Sequence, residues 1–367
     1  MKKLFLLGII LFSANVIAQV VNPAMLDTSA SVRLGKFSLG AYVDAYFSAD
    51  INEYKSGNRP YFVSSARRKE VNINLAFIDV RYNAERVRLH ITPGFGTYMA
   101  ANYAAEPAEL RFLVEANAGV CLSKKHGIWL DAGILGSPYT NESAISKDHL
   151  MYSRSLSAEY VPYYLSGFKF TLPVSKKITL YLYGLNGWQK IRVGKESGAL
   201  GTQLEFKLND KMLLNWNTFL GNEQSTDDDP KRMRLFTDIY WVYNHKKFSA
   251  TSCAYIGMQQ YADRSKKIWW QTNFIARYRF VPQFSLSGRV ELFSDPQQEM
   301  IIPNQLFSVY RGNIFSGGLC ANIHIDEHAL IRFEGRYFNA SENIYRNQNS
   351  EAINQSIMVV ANITAWF

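Results

Sequence analysis

Phe37-Ser-Leu-Gly-Ala-Tyr-Val-Asp-Ala-Tyr-Phe-Ser48 decides the fold. Phe37, Leu39, Ala41, Val43, Ala45 and Phe47 recur at every second position, with Ser38, Tyr42, Asp44, Tyr46 and Ser48 between them. A period of two puts one set on each face of a β-strand. Val87, Leu89, Ile91, Pro93 and Phe95 repeat the pattern against Arg88, His90 and Thr92, and Phe112 to Leu122 repeat it against Glu115 and Asn117. Each segment runs about ten residues, the span of a tilted strand that crosses a bilayer. The alternation continues through 128–134, 165–172, 178–183, 201–208, 212–221, 234–243, 248–260, 270–280, 284–293, 314–325 and 329–338, and ends in Ile357, Val359, Ala361, Ile363, Ala365 and Phe367. Between Val71 and Tyr82 the apolar phase slips from Val71, Ile73, Leu75 and Phe77 to Ile78, Val80 and Tyr82, which predicts a bulge.

The connections alternate between short turns, such as 209–211 and 281–283, and long loops, such as 51–70 and 136–164. Seven short turns and eight long loops give sixteen antiparallel strands, an even number with the loop asymmetry of outer-membrane barrels. The expected class is therefore all-β, a transmembrane antiparallel up-and-down barrel over residues 37–367. A soluble secreted sandwich also alternates, but does not gather aromatic residues at strand ends. Here Tyr82, Phe206, Tyr243, Phe248, Phe280, Phe284 and Phe367 lie near the short turns, and Phe95, Trp188, Trp269, Trp270 and Tyr337 near the long loops, suggesting two interfacial girdles.

The chain has 367 residues, 47% hydrophobic and 14% aromatic. Its mean hydropathy of -0.15 is too polar for a bundle of membrane helices. The exception is the front: Lys2 and Lys3, an apolar run from Leu4 to Phe12, then Val16-Ile17-Ala18, which fits a secretory signal over 1–18. Residues 19–36 are expected to form a short periplasmic segment, too short for the plug of active transporters. No cysteine follows the leader, so no lipid anchor is expected. Cys121, Cys253 and Cys320 have no metal-ligand spacing and are expected to be free thiols.

Several stretches resemble a family: Phe37 to Asp44, Arg59-Pro-Tyr-Phe-Val-Ser64, Asn72 to Asp79, Gly94-Phe-Gly-Thr-Tyr98, Gly136-Ser-Pro-Tyr-Thr-Asn-Glu142, Glu159-Tyr-Val-Pro-Tyr163, Phe284 to Glu291 and Arg332-Phe-Glu-Gly-Arg336. They resemble the OmpL-like group of β-barrel porins, common in Bacteroidota. The resemblance implies an integral barrel of the bacterial outer membrane, of porin type, and brings no catalytic residues. The terminal aromatic Phe367 looks like the signal read by the barrel-assembly machinery. Membrane lipid and lipopolysaccharide are the expected surroundings, with a monomer and a trimer both open.

Parity assigns the lumen. Its basic members are Arg88, His90, Lys169, Lys207, Arg234, Arg277, Arg279, Arg289, Arg332 and Arg336. Its acidic members are Asp44, Glu115, Asp131, Glu205, Asp238, Glu291 and Glu334. Arg or Lys on the lipid face costs roughly 2 to 4 kcal/mol at mid-bilayer, so their gathering on the opposite parity supports the assignment. A sixteen-stranded bore is too wide for side chains to fill, which predicts an aqueous channel for passive diffusion of small hydrophilic solutes. Pairing Phe280 with Phe284 around Pro282 sets Glu291 across from Asn273 and Arg289 diagonal to Arg277. Such an arginine ladder favours anions. The opposing reading pairs these arginines with Glu291 and Glu334 and makes them wall solvation.

The loop 136–164 holds Glu142, Lys147, Asp148 and Arg154 and a helix-compatible run from Lys147 to Leu156. Following the fifth strand, it is similar in position to the constriction loop of general porins; the alternative is an outer cap. Asp227-Asp228-Asp229 reads as a solvated acidic tip before it reads as a metal site, and no metal or other cofactor is expected. The other classes weighed are a scaffold or adhesion barrel with an occluded lumen and, more remotely, a lipid hydrolase, for which no G-x-S-x-G elbow is present. An enzyme is not expected. The excess of positive charge, +9 for the full chain, is scattered and not gathered in a stripe, which argues against nucleic acid as a partner.

Overall fold

The computed structural model describes residues 32–52, 57–193, 198–223, 232–300 and 312–367. Sixteen antiparallel strands form the wall: β1 (Phe37–Asp50), β2 (Val71–Asn83), β3 (Val87–Phe95), β4 (Leu113–Ser123), β5 (Ile128–Gly136), β6 (Tyr164–Pro173), β7 (Ile178–Leu185), β8 (Gly198–Asn209), β9 (Met212–Asn222), β10 (Met233–His245), β11 (Phe248–Gln260), β12 (Lys266–Val281), β13 (Phe284–Ser294), β14 (Asn313–His324), β15 (Ala329–Ala340) and β16 (Gln355–Trp366). Each pairs with its sequence neighbour, and β16 pairs with β1 from Tyr42↔Trp366 to Asp50↔Met358, closing the cylinder. Ala41 and Phe367 exchange two backbone hydrogen bonds of 3.0 Å, so the last residue belongs to the seam. Closure leaves no strand edge unpaired, which hydrocarbon requires.

Exposure follows parity in the sense opposite to that of a soluble protein. Val43 is 43% exposed and its neighbour Asp44 is 0% exposed, and the outward set on β1 is Phe37, Leu39, Val43 and Phe47. Rings meet at the short-turn rim, where Phe37 lies 4.9 Å from Tyr82, Tyr243 6.2 Å from Phe248 and Phe280 5.9 Å from Phe284.

The bulge sits opposite Asp44 and Ala45. Ala45 pairs with Ile73 and Asp44 with Leu75, leaving Asn74 extra, and its side-chain Nδ2 donates to Asp44 Oδ2 at 3.0 Å. The phase change turns Leu75 and Phe77 inward, where Phe77 stacks on Tyr42.

Three local expectations are corrected. A second bulge makes Val281 the partner of Phe284, with Asn273↔Glu291 kept above it. Trp188 and Trp269 are buried inside the barrel and do not belong to a girdle. Gly257 permits this, since a Cβ there would lie 2.1 Å from the Trp269 ring. Finally, the run 147–156 is not a helix. A single 3₁₀ turn, Ser146–Asp148, precedes irregular backbone, and a helical turn begins only at Leu156–Glu159.

Residues 1–18 of the expected leader, 19–31 of the N-terminal segment and the Asp227 to Asp229 tip lie outside the described residues. Val32–Leu34 forms a short ribbon on β1.

Candidate functional site

The lumen is occupied at mid-height by the connection between β5 and β6. Met151, Tyr152, Arg154, Ser155, Leu156 and Ser157 are all buried to within 1% of complete exclusion. Segment 137–163 is hydrogen-bonded to strands around the wall. Tyr139 Oη donates to Thr218 O at 3.2 Å, the Thr140 amide to Asp238 at 2.8 Å, and Asn141 Nδ2 to Thr251 and Asn273 at 3.1 and 3.0 Å. The Leu156 amide donates to Glu291 at 2.7 Å, and those of Tyr152 and Ser153 to Glu334 at 2.9 Å. The Ser146 amide donates to Tyr42 Oη at 3.0 Å. These last wall contacts explain the missing helix: the amides bond to wall carboxylates and to a tyrosine hydroxyl instead of to carbonyls four residues earlier, and serine favours such competition.

Three wall arginines hold this segment. Arg289 lies 3.2, 3.4 and 3.6 Å from Glu334, Glu291 and Glu142, and donates to Ser153 O at 2.8 Å. Arg336 pairs with Glu291 and donates to Arg154 O at 2.8 Å. Arg332 donates to Ser146 O at 2.7 Å, Asn362 at 2.9 Å and Thr364 at 3.0 Å. Within the segment, the Ser155 amide donates to Glu142 at 2.7 Å, Arg154 donates to Ser143 O at 3.2 Å and to Ala144 O, and Lys147 pairs with Asp148 at 2.8 Å. Arg289 and Arg336 thus do pair with Glu291 and Glu334, but they are sealed from water instead of solvating the wall.

The remaining lumen charges fall into separate groups. Arg88 and Lys169 converge on Asp131, Arg88 also lying 4.4 Å from the Trp129 ring. His90 lies between Asp79 and Glu115, its Nδ1 3.0 Å from the latter, and Arg81 is 3.0 Å from Asp79. Lys207 is 3.8 Å from Glu205 on its own strand. Arg234 sits between the rings of Trp188 and Trp269 and pairs with Glu299 at 3.0 Å. Asp44 accepts from Asn362 at 2.7 Å, and Asp238 from Asn217 at 2.6 Å. Arg277 reaches only Ser249, at 3.4 Å, and Arg279 no carboxylate among the described residues.

Asp79 and Arg81 also face the lumen, a direction that the phase slip at Ile78 signals. Parity alone misses an apolar lining. Inward-facing Phe219, Phe236, Phe293, Ile314, Phe338 and Met358 form one hydrophobic core with Tyr139, Met151, Tyr152 and Leu156 of the segment. A second joins Tyr98, Met99 and Tyr103, around the helical turn Thr97–Asn102, to Leu75, Phe77 and Ile145. At the mouth, Arg59 and Arg68 pair with Asp50, and Glu159 accepts from the amides of Val63 and Ser64, tying loop 51–70 to the segment. Burial pushes Glu159 up to about 7, against the pull of those amides and of Arg154. Cys121, Cys253 and Cys320 are free.

A closed sixteen-stranded wall with an apolar exterior, a charged interior and an inward-folded connection defines an integral outer-membrane β-barrel of porin architecture. The chain belongs to the family described as "Putative beta-barrel porin-2, OmpL-like", whose model matches residues 36–366, and is accordingly a porin. No curated protein matches it. Among solved structures it is similar to OmpT of Vibrio cholerae (TM-score 0.57, 8% identity, 92% of this chain and 100% of that one). It is also similar to an anion-selective porin from Comamonas acidovorans (0.58, 6%, 90% and 99%) and to the outer membrane channel DcaP of Acinetobacter baumannii (0.57, 8%, 90% and 97%). At such identities the likeness concerns the fold.

Proposed function

We propose that this porin passes small hydrophilic solutes by passive diffusion, without catalysis, and that segment 137–163 sets when and how widely it conducts. The observation that carries this reading is that the segment's polar contacts with the wall are made within the lumen, while the sixteen strands are closed into a cylinder by hydrogen bonds among themselves. Displacing the segment therefore opens a path without breaking a strand pair. An anion preference is part of the proposal, resting on Arg277 and Arg279, lumen arginines that pair with no carboxylate among the described residues; the Comamonas neighbour is itself anion-selective. Removal of residues 1–18 on export, a short periplasmic segment over 19–36, assembly through Phe367, and contact with lipid and lipopolysaccharide complete the reading. A trimer is compatible with it, a trimeric form being known for the Vibrio OmpT.

A scaffold with an occluded lumen is the second reading, favoured by the filled mid-section. Conductance of purified protein in planar bilayers separates the two: stepwise ion currents support diffusion, and a barrel that inserts yet never conducts supports the scaffold.

A further inference from the structure

The charges of the lumen do not balance everywhere. Toward the short-turn end, on the β2–β8 side, the lumen-facing cations of the strands have a carboxylate within 4 Å: Arg81 has Asp79, Arg88 and Lys169 share Asp131, and Lys207 has Glu205. On the opposite wall the register brings Arg277 and Arg279, two residues apart on one face of β12, beside Ser287 and Ser285 of β13. Ser285 is in turn opposite Asn322 of β14, one step from His324 on the same face. Neither Arg277 nor Arg279 pairs with a carboxylate among the described residues, and Arg277 reaches the Ser249 hydroxyl at 3.4 Å. Arg332 is already fully engaged by Ser146, Asn362 and Thr364.

Two further atoms lack partners there. Ser285 is fully buried, yet its hydroxyl makes no hydrogen bond, and His324 Nε2 is buried without one. Ser287 Oγ donates to Leu150 O, so the inward-folded segment roofs the patch, whereas Arg277 and Arg279 remain partly exposed below it. Paired guanidinium groups at this spacing repel each other unless an anion lies between them. Their forked donors suit the oxygens of a tetrahedral or planar oxyanion.

We propose that Arg277, Arg279, Ser285 and His324 form a binding site for a small doubly charged oxyanion of the phosphate class, beneath the inward-folded segment and entered from the short-turn end. The arginines supply charge and the two-pronged donors; the serine hydroxyl supplies a neutral donor. The site deepens the anion-preferring reading of the lumen and gives it a location on the near side of the closure.

The test is equilibrium binding of inorganic phosphate to the folded full-length protein in detergent, by calorimetry and by phosphorus NMR line broadening, with no need for conduction. Wild type is expected to bind phosphate saturably, more weakly as salt rises. An R277Q/R279Q variant should lose at least tenfold in affinity, R277K/R279K should recover part of it, and K207Q, on the balanced wall, should bind as wild type does. Heat-modifiable gel mobility verifies that each variant is folded. Wild-type protein that does not bind phosphate, or R277Q/R279Q that binds it unchanged, overturns the site. Bilayer recordings keep the two readings apart: phosphate binding with no anion preference in currents sustains the site and defeats the anion preference, while anion-selective currents together with phosphate binding unchanged in R277Q/R279Q defeat the site and leave the preference standing.

Discussion

Replacing Glu334 by alanine should unlatch the lumen. Its carboxylate accepts the amides of Tyr152 and Ser153, each at 2.9 Å, and lies 3.2 Å from Arg289; all of these groups are buried. Alanine leaves two amide donors without an acceptor and Arg289 with one carboxylate fewer. An unsatisfied buried donor costs about 1–3 kcal/mol. Because water can enter the vacated space, the lower part of that range applies, and the two amides together destabilise the closed arrangement by about 2–3 kcal/mol. That corresponds to a shift of about 30- to 150-fold in the ratio of closed to open forms, at 1.4 kcal/mol per factor of ten. Single-channel recording in planar bilayers reads this ratio as open probability at low voltage, with Glu205→Ala as a lumen-charge control, since Glu205 lies beside Lys207 on its own strand. Equal open probabilities for wild type, Glu334→Ala and Glu205→Ala would refute the latch.

Deleting Lys147 to Leu156 removes the residues that meet Glu334 and Glu291, and should raise unit conductance while leaving the barrel heat-modifiable; unchanged conductance would return the segment to the role of an outer cap. Charge reversal at Arg277 should move reversal potentials in a salt gradient toward cations, whereas Arg289→Glu, which sets a fourth carboxylate among Glu142, Glu291 and Glu334, should alter gating first; equal selectivity shifts from both would contradict the sealed position of Arg289. Glu159 is raised by burial to about 7, above its unfolded value, so its contribution is complete below about 4.5 and is lost as pH rises through about 7. Proteolysis within 57–70 should therefore speed up between pH 5 and pH 8, and Glu159→Gln should flatten that dependence; a slope that survives the substitution assigns it to other groups.

The wall was legible because its signal is local. Alternation needs only neighbouring residues, hydrocarbon enforces it strand by strand, and a slipped phase such as that at Leu75 and Phe77 marks its own bulge. Parity likewise told which face Arg289 and Arg277 share. It could not tell that one is sealed and the other open, because the difference is made by contacts far apart in the chain. Ser146 meets Tyr42 across 104 positions and Arg332 across 186, and Ser153 meets Glu334 across 181. The same distance hides the inward phenylalanines, whose side chains look like interruptions of a polar face until the segment that covers them is folded against them. Sequence alone thus determined the cylinder, its closure and its two faces, since each follows from a period of two in an apolar solvent. Only the tertiary structure decided what fills the cylinder, because where a connecting segment comes to rest depends on the sum of many weak, distant contacts and leaves no period behind.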